Sequence, residues 1–181
     1  MAMFKVKIKH EIIEHCQKLM KLTNFGKRGN ADGNQSEQLR GIVSQSVIMD
    51  LLGLGYVQSE GKSDGGIDFT YLDKTYDVKS MGRNCDPKPH FVNNLIGLQK
   101  NYEVDRYIFA SLNKQDLTVT ICGWVNKEDF YKRANFFPKG MTRIRDDGTT
   151  FEAKTDLYEL RNDKLNNVSD LEDLIFELKL N

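Results

Sequence analysis

The 181-residue chain has little cysteine, no long apolar run and no net charge, and each shortage removes a class of protein. Its three cysteines, Cys16, Cys85 and Cys122, are scattered and odd in number. They form no CxxC pair and no zinc spacing, which excludes a disulfide framework and a structural zinc. They read as buried or partly buried free thiols. His10, His15 and His90 show no ligand spacing either, since His10 and His15 are five apart and face different sides of a helix. No apolar run approaches the roughly 20 residues of a membrane span. The opening MAMFKVKIKH lacks an apolar stretch followed by small residues, so no secretory signal is expected and the expected compartment is cytoplasmic. Internal repeats and low-complexity tracts are also missing.

What is present suits one folded domain spanning 1–181. Hydrophobic residues are 39% and aromatics 10%, ample for a core, so general disorder is excluded. The zero net charge hides a pattern. Residues 1–40 carry eight Lys/Arg against four Asp/Glu, and residues 127–145 carry six against two. Residues 146–181 carry ten acids against four bases. A neutral protein of this kind can offer basic strips to phosphate and keep an acidic far side.

Residues 10–22 stripe Ile12, Ile13, Cys16, Leu19 and Met20 along one side, as an amphipathic helix does. The Gly- and Asn-rich stretch 25–36 reads as a loop. Asn34 with Glu37 three later resembles a capping box, and the helix it opens runs to the glycines of GLGY. Apolar residues go most of the way round that helix, predicting burial on several sides. Strands are predicted at Tyr56-Val57, 66–72, 75–81, 106–112 and 117–124, with helices at 93–101, after Asn126 as cap, and at 169–179. This order predicts an α/β sandwich, one mixed sheet flanked by helices.

The informative segment is GGIDFTYLDKTYDVKSMG, residues 65–82. With Asp73-Lys74 as a two-residue turn, Thr70 pairs with Asp77 and Asp68 with Lys79. Alternation puts Ile67, Phe69, Tyr71, Tyr76 and Val78 on a core face, and Asp68, Thr70, Asp77 and Lys79 on the other. Two carboxylates and an amine then lie within cross-strand reach, roughly 5–8 Å between β-carbons. Close carboxylates favour a hard divalent cation such as Mg²⁺, and a nearby ammonium can position a metal-bound water or stabilise a phosphorane-like transition state. That set suits phosphodiester hydrolysis. The competing reading is a surface salt bridge between Asp68 and Lys79, with Asp77 solvated.

Asp68 followed by Asp77-Val78-Lys79 at the next strand resembles the PD-(D/E)xK nuclease signature. Glu152-Ala153-Lys154 and Glu177-Leu178-Lys179 share the acid-x-Lys triplet but follow no aspartate-bearing strand. A helix ending in Leu-Gly-Tyr, the Gly65-Gly66-Ile67-Asp68 entry and the later strands at 105–109 and 121–125 agree with that superfamily over roughly residues 36–135. The helix 10–22 and the acidic tail 146–181 lie outside the resemblance. It implies a restriction-endonuclease-like three-layer sandwich with a central mixed β-sheet. It also implies a Mg²⁺-dependent DNA endonuclease, Mn²⁺ a candidate substitute, leaving 5′-phosphate and 3′-hydroxyl ends. Asp68, Asp77 and the Val78 carbonyl would bind the metal, and Lys79 would orient the attacking water. Many members place a glutamate on the preceding helix. Here Glu37, Gly41 and Gln45 share a stripe, with Gln45 the favoured contribution, Glu37 second, and Gly41 letting the stripe approach the sheet. Ile67 stands where the signature proline would.

DNA is the expected partner, RNA fitting the same chemistry. Lys27 and Arg28, then Arg83, Lys88 and His90, bracket the site as phosphate contacts. Lys132, Arg133, Lys139, Arg143 and Arg145 make a second basic strip. Trp124 reads as a packing residue. Double-strand cutting would imply a two-fold homodimer. The rival readings are a non-catalytic nucleic-acid-binding or assembly subunit with the same fold, and an interaction protein that docks through its acidic tail.

Overall fold

The two most continuously apolar strands of the sequence become the middle of the sheet. In the computed structural model, which describes residues 2–23, 25, 34–58, 66–144 and 148–180, β5 (Arg106–Asn113) is buried throughout and β6 (Thr118–Asn126) nearly so. With β1 (Phe4–Lys7), β2 (Phe69–Tyr71) and β3 (Lys74–Arg83) they form a five-stranded sheet ordered β1-β6-β5-β3-β2. β3 and β5 run parallel; every other neighbouring pair is antiparallel, so the sheet is mixed. The fold is α/β.

One face is covered by α1 (His10–Leu22), α2 (Gln35–Leu51) and α4 (Leu171–Leu180). Ile12, Ile42, Val47, Ile48 and Leu174 join Tyr76, Val78 and Ile108 in one apolar cluster. The capping box holds as read: Asn34 accepts from the Glu37 N–H and Glu37 accepts from the Asn34 N–H, both at 2.9 Å. The other face carries Tyr107, Phe109 and Val125 against Phe130 of α3 (Lys127–Arg133) and Leu95 and Leu160 of a smaller sheet. That sheet is ordered β4-β10-β7, from β4 (Val92–Ile96), β7 (Asn135–Phe137) and β10 (Leu157–Arg161). A hairpin of β8 (Thr142–Ile144) and β9 (Thr150–Glu152) stands beside it.

Two expectations fail for one reason, a pairing partner distant in sequence. Residues 93–101 are not an α-helix: Val92–Ile96 pairs antiparallel with β10, and a 3₁₀ turn follows at Gly97–Asn101. The acidic segment is no peripheral tail. It supplies β9, β10 and α4, and Asn166 pairs with Trp124 of β6 through N–H···O bonds of 3.0 and 2.9 Å. Gly123, at φ +143°, follows Cys122, the extra residue of a β6 bulge opposite Phe109 and Ala110, and a β-carbon there would sit 2.5 Å from the Asn166 carbonyl. Tyr56-Val57 forms no strand; the Val57 N–H goes to Ser46 Oγ instead. Asn126 precedes α3 as read, but its side chain makes no cap and accepts from Arg106 Nε. Cys16 and Cys122 are buried as read, whereas Cys85 is exposed.

Arg106 is 1% exposed. Its Nη1 donates to the Tyr76 hydroxyl and the Leu178 carbonyl, and the guanidinium lies 5.1 Å from the Trp124 ring. Leu178 belongs to the last turn of α4, where exposed carbonyls attract a cation. The interaction fastens α4 to the sheet. Leu174→Ala should therefore lower the unfolding free energy by about 2–5 kcal/mol, as for a buried leucine. Phe176→Ala, at an exposed position of the same helix, should change it by less than about 0.5 kcal/mol. Urea denaturation of the two variants tests this, and equal midpoints would return the C-terminal segment to a passive role.

Candidate active site

The hairpin turns at Leu72-Asp73, one residue earlier than Asp73-Lys74. Both residues have positive φ, +50° and +60°, the sign that a two-residue type I′ hairpin turn requires. Thr70 therefore faces Thr75, not Asp77. Moving the turn by one residue shifts the register by two, so side-chain parity survives and Thr70 stays on the face shared by Thr75, Asp77 and Lys79. Phe69, Tyr76 and Val78 lie in the cluster under α1 and α2, as the alternation requires.

β2 is only three residues long, and the chain leaves it at Asp68. The Asp68 N–H still donates to the Tyr76 carbonyl at 2.8 Å. Its carboxylate then accepts the Val78 N–H at 2.7 Å, taking a bond that a longer strand would have made with its main chain. In a strand the N–H and C=O of one residue point to the same edge, so the Val78 carbonyl also faces this side. The approach to Asp68 is fixed twice more. Gly66 has φ +89° and lies against the Tyr102 ring, where any β-carbon would collide. Gln45, from α2, donates its amide to the Asp68 carbonyl at 3.1 Å. Gln45 thus positions the Asp68 main chain.

Asp77 and Lys79 form an ion pair of 2.7 Å, with side chains 3% and 14% exposed. This overturns the surface-bridge alternative, because Lys79 pairs with Asp77 instead of Asp68 and Asp77 is buried instead of solvated. Tyr107, beside Asp77 on β5, brings its hydroxyl to 3.4 Å from that of Tyr131 on α3. Burial, foremost, pushes both phenols above their ordinary range, and the Asp77 charge adds to the effect on each. Nothing in the sequence marks these tyrosines as neighbours of the site; only the parallel pairing of β3 with β5 brings Tyr107 beside Asp77.

The remaining candidates scatter. Glu37 is committed to the α2 cap and lies 3.8 Å from Arg40; eight residues from Gln45, it is about 12 Å away along the helix. Gly41 permits no close approach, since a β-carbon there would meet nothing within 4 Å. Arg83 is no open phosphate contact. It donates to the Val92 carbonyl at 3.1 Å and stacks 4.3 Å from the Phe91 ring, and burial holds its pKa below the usual guanidinium value. Lys88 and His90 are exposed on the following loop. Lys27, Arg28 and Arg145 lie outside the described residues. In the second strip, Arg143 is tied to buried Glu159 at 2.9 Å and Lys132 and Arg133 pair with acids of their own helix. Trp124 is buried, as expected of a packing residue.

Among the described residues no three His, Cys, Asp or Glu side chains converge as a metal cage. The set near the hairpin is instead two carboxylates and one main-chain carbonyl. These are hard oxygens of the kind Mg²⁺ takes in small number while keeping several waters. By chemistry the donors fit such an ion. No protein-family model matches the chain, and no curated protein or solved structure matches it.

The buried phenols give a pH test. Tyr76, Tyr107 and Tyr131 are all raised in the folded state, chiefly by burial. Their neutral forms are favoured on folding, so that stability is fully present below the unfolded tyrosine value of about 10 and is lost as pH rises above it. Ultraviolet titration at the phenolate band should show these three of the seven tyrosines ionising only together with unfolding. Reversible ionisation of all seven in the folded protein would contradict the assigned burial.

Proposed function

We propose that the protein is a Mg²⁺-dependent DNA endonuclease of the PD-(D/E)xK type, with a restriction-endonuclease-like fold and cytoplasmic action. The observation that carries this is the buried Asp77–Lys79 pair on the strand whose next main-chain N–H, at Val78, is held by Asp68. The signature's three charged residues are thereby gathered about one residue of β3. A mixed sheet, an acid-bearing hairpin and a parallel neighbour of β3 support the same reading. When bound, Mg²⁺ supplies charge neutralisation at the scissile phosphate and an acidified water. Asp68, Asp77 and the Val78 carbonyl would hold it. Lys79 orients the attacking water, and Gln45 keeps the Asp68 main chain in place.

A second reading has its own observation. Asp77 is already neutralised by Lys79 and excluded from water. A non-catalytic nucleic-acid-binding subunit with this fold fits that closed state. Plasmid nicking separates the two. The wild type should nick in Mg²⁺ or Mn²⁺ and stop in chelator. Asp68→Asn, Asp77→Asn and Lys79→Gln should each lower the rate by about 10²-fold or more. Thermal melting must show each variant folded, because breaking a buried pair costs about 3–5 kcal/mol. DNA binding by a wild type that cuts with neither metal would be falsifying for the nuclease and would leave the binding subunit.

A further inference from the structure

A cavity of about 740 Å³ opens where β3 and β5 begin, lined by Lys74, Lys100, Lys127 and Lys132 around Val104 and Tyr131. Its volume is within the range of small-molecule sites. Three acids line it too, but each is engaged. Asp105 accepts from the Thr75 N–H and hydroxyl at 2.8 and 3.0 Å. Glu128 pairs with Lys132, and Asp129 with Arg133. Lys127 donates to the Tyr102 carbonyl. Lys74 and Lys100 form none of the ion pairs among the described residues. Lys100 Nζ lies 5.6 Å from both the Tyr131 and Tyr158 rings. Lys74 acts on Asp105 only through its charge and Lys100 only through the two rings, so both ammonium groups lack a paired carboxylate.

Two phenols link the cavity to the candidate active site. Tyr131 is a wall of the one, and its hydroxyl meets that of Tyr107, the neighbour of Asp77, at 3.4 Å. We infer that this cavity is a nucleotide subsite: it takes one nucleotide of the nucleic-acid strand, its phosphate on Lys74 and Lys100 and its apolar part against Tyr131 and Val104. The inference rests on the nuclease reading for its substrate, but not for its test. Mobile lysines bind phosphate as point charges without fixing sequence. The subsite therefore positions the strand without selecting bases.

The experiment is binding in chelator, where no cleavage occurs. The probes are a fluorescent 12-nucleotide single strand and thymidine 5′-monophosphate. The Lys74→Gln/Lys100→Gln double variant is compared with wild type and with Lys18→Gln, an exposed lysine of α1, which covers the opposite face of the sheet. The double variant should bind the strand roughly ten- to thirtyfold more weakly at about 0.1 M salt, its log–log salt slope shallower by about 1.4, two phosphates' worth. The control should match wild type. The mononucleotide should shift amide resonances of Lys100, Lys127 and Tyr131. Unchanged affinity and slope in the double variant, mononucleotide shifts elsewhere, or no binding of either probe would overturn the subsite. Failure of the two readings is separable. Binding as described without metal-dependent nicking removes the nuclease and keeps the subsite; nicking with an unchanged salt slope does the reverse.

Discussion

The early end of β2 is the constraint on which the site depends. Three residues pair with β3 and then the strand stops, leaving the β3 edge at Val78 without a main-chain partner. A buried N–H must find an acceptor or cost about 1–3 kcal/mol. The Asp68 carboxylate supplies it. That single substitution of side chain for main chain fixes where the acid points, and it is reinforced from both flanks. Tyr102 against Gly66 allows only glycine on the way in, and the Gln45 amide holds the Asp68 carbonyl. A longer β2 would have satisfied Val78 with its own backbone and left Asp68 no fixed position.

The Asp77–Lys79 pair has no comparable structural explanation. Two apolar residues of similar volume would serve a buried strand position as well or better, because desolvating two charges roughly cancels their attraction. The neighbouring face is apolar and aromatic, with Phe109 and Phe130 stacked 5.6 Å apart and Tyr107 edge-on to Phe130. A buried acid and a partly buried amine sit beside that cluster. The contrast with Arg143 and Glu159 is useful. That pair is also buried, but it joins β10 to the β8–β9 hairpin and has an architectural task.

Much of the local structure was legible from the chain. The capping box at Asn34, the two faces of the hairpin and the helix after Asn126 follow from rules spanning a few residues. Parity in particular is robust, which is why an error of one residue in the turn left Thr70 on the face of Asp77 and Lys79. What was not legible depends on distant pairing. Val92–Ile96 is an edge that only β10 converts to a strand, and the Asn-Asn-Leu-Ile pattern alone is ambiguous between strand and helix. Arg83 resembles any loop arginine until Phe91 folds over it. Arg106 gives no sign in sequence that it will be fully buried, because its partners, Tyr76, Asn126 and Leu178, come from three other elements. Charge counts misled most where acids cluster: the described part of that segment, 148–180, exposes most of its acids and buries Leu157, Leu160, Leu174 and Leu178.

That segment also sets the surroundings of the site. β10 places Tyr158 edge-on to Tyr131 at 4.8 Å, and Lys100 lies over both rings. Tyr131 in turn reaches Tyr107, the neighbour of Asp77. The orientation of the aromatic wall beside Asp77 is therefore settled by residues near the C-terminal end of the described chain. α4 depends on the same part of the chain and is fastened through Leu178 to Arg106, itself bonded to Tyr76 of β3. The strand that carries Asp77 and Lys79 is thus braced on one face through α4 and on the other through β10, α3 and Tyr107. Along the Asp68 edge of that strand the sheet is closed by a side chain and not by another strand.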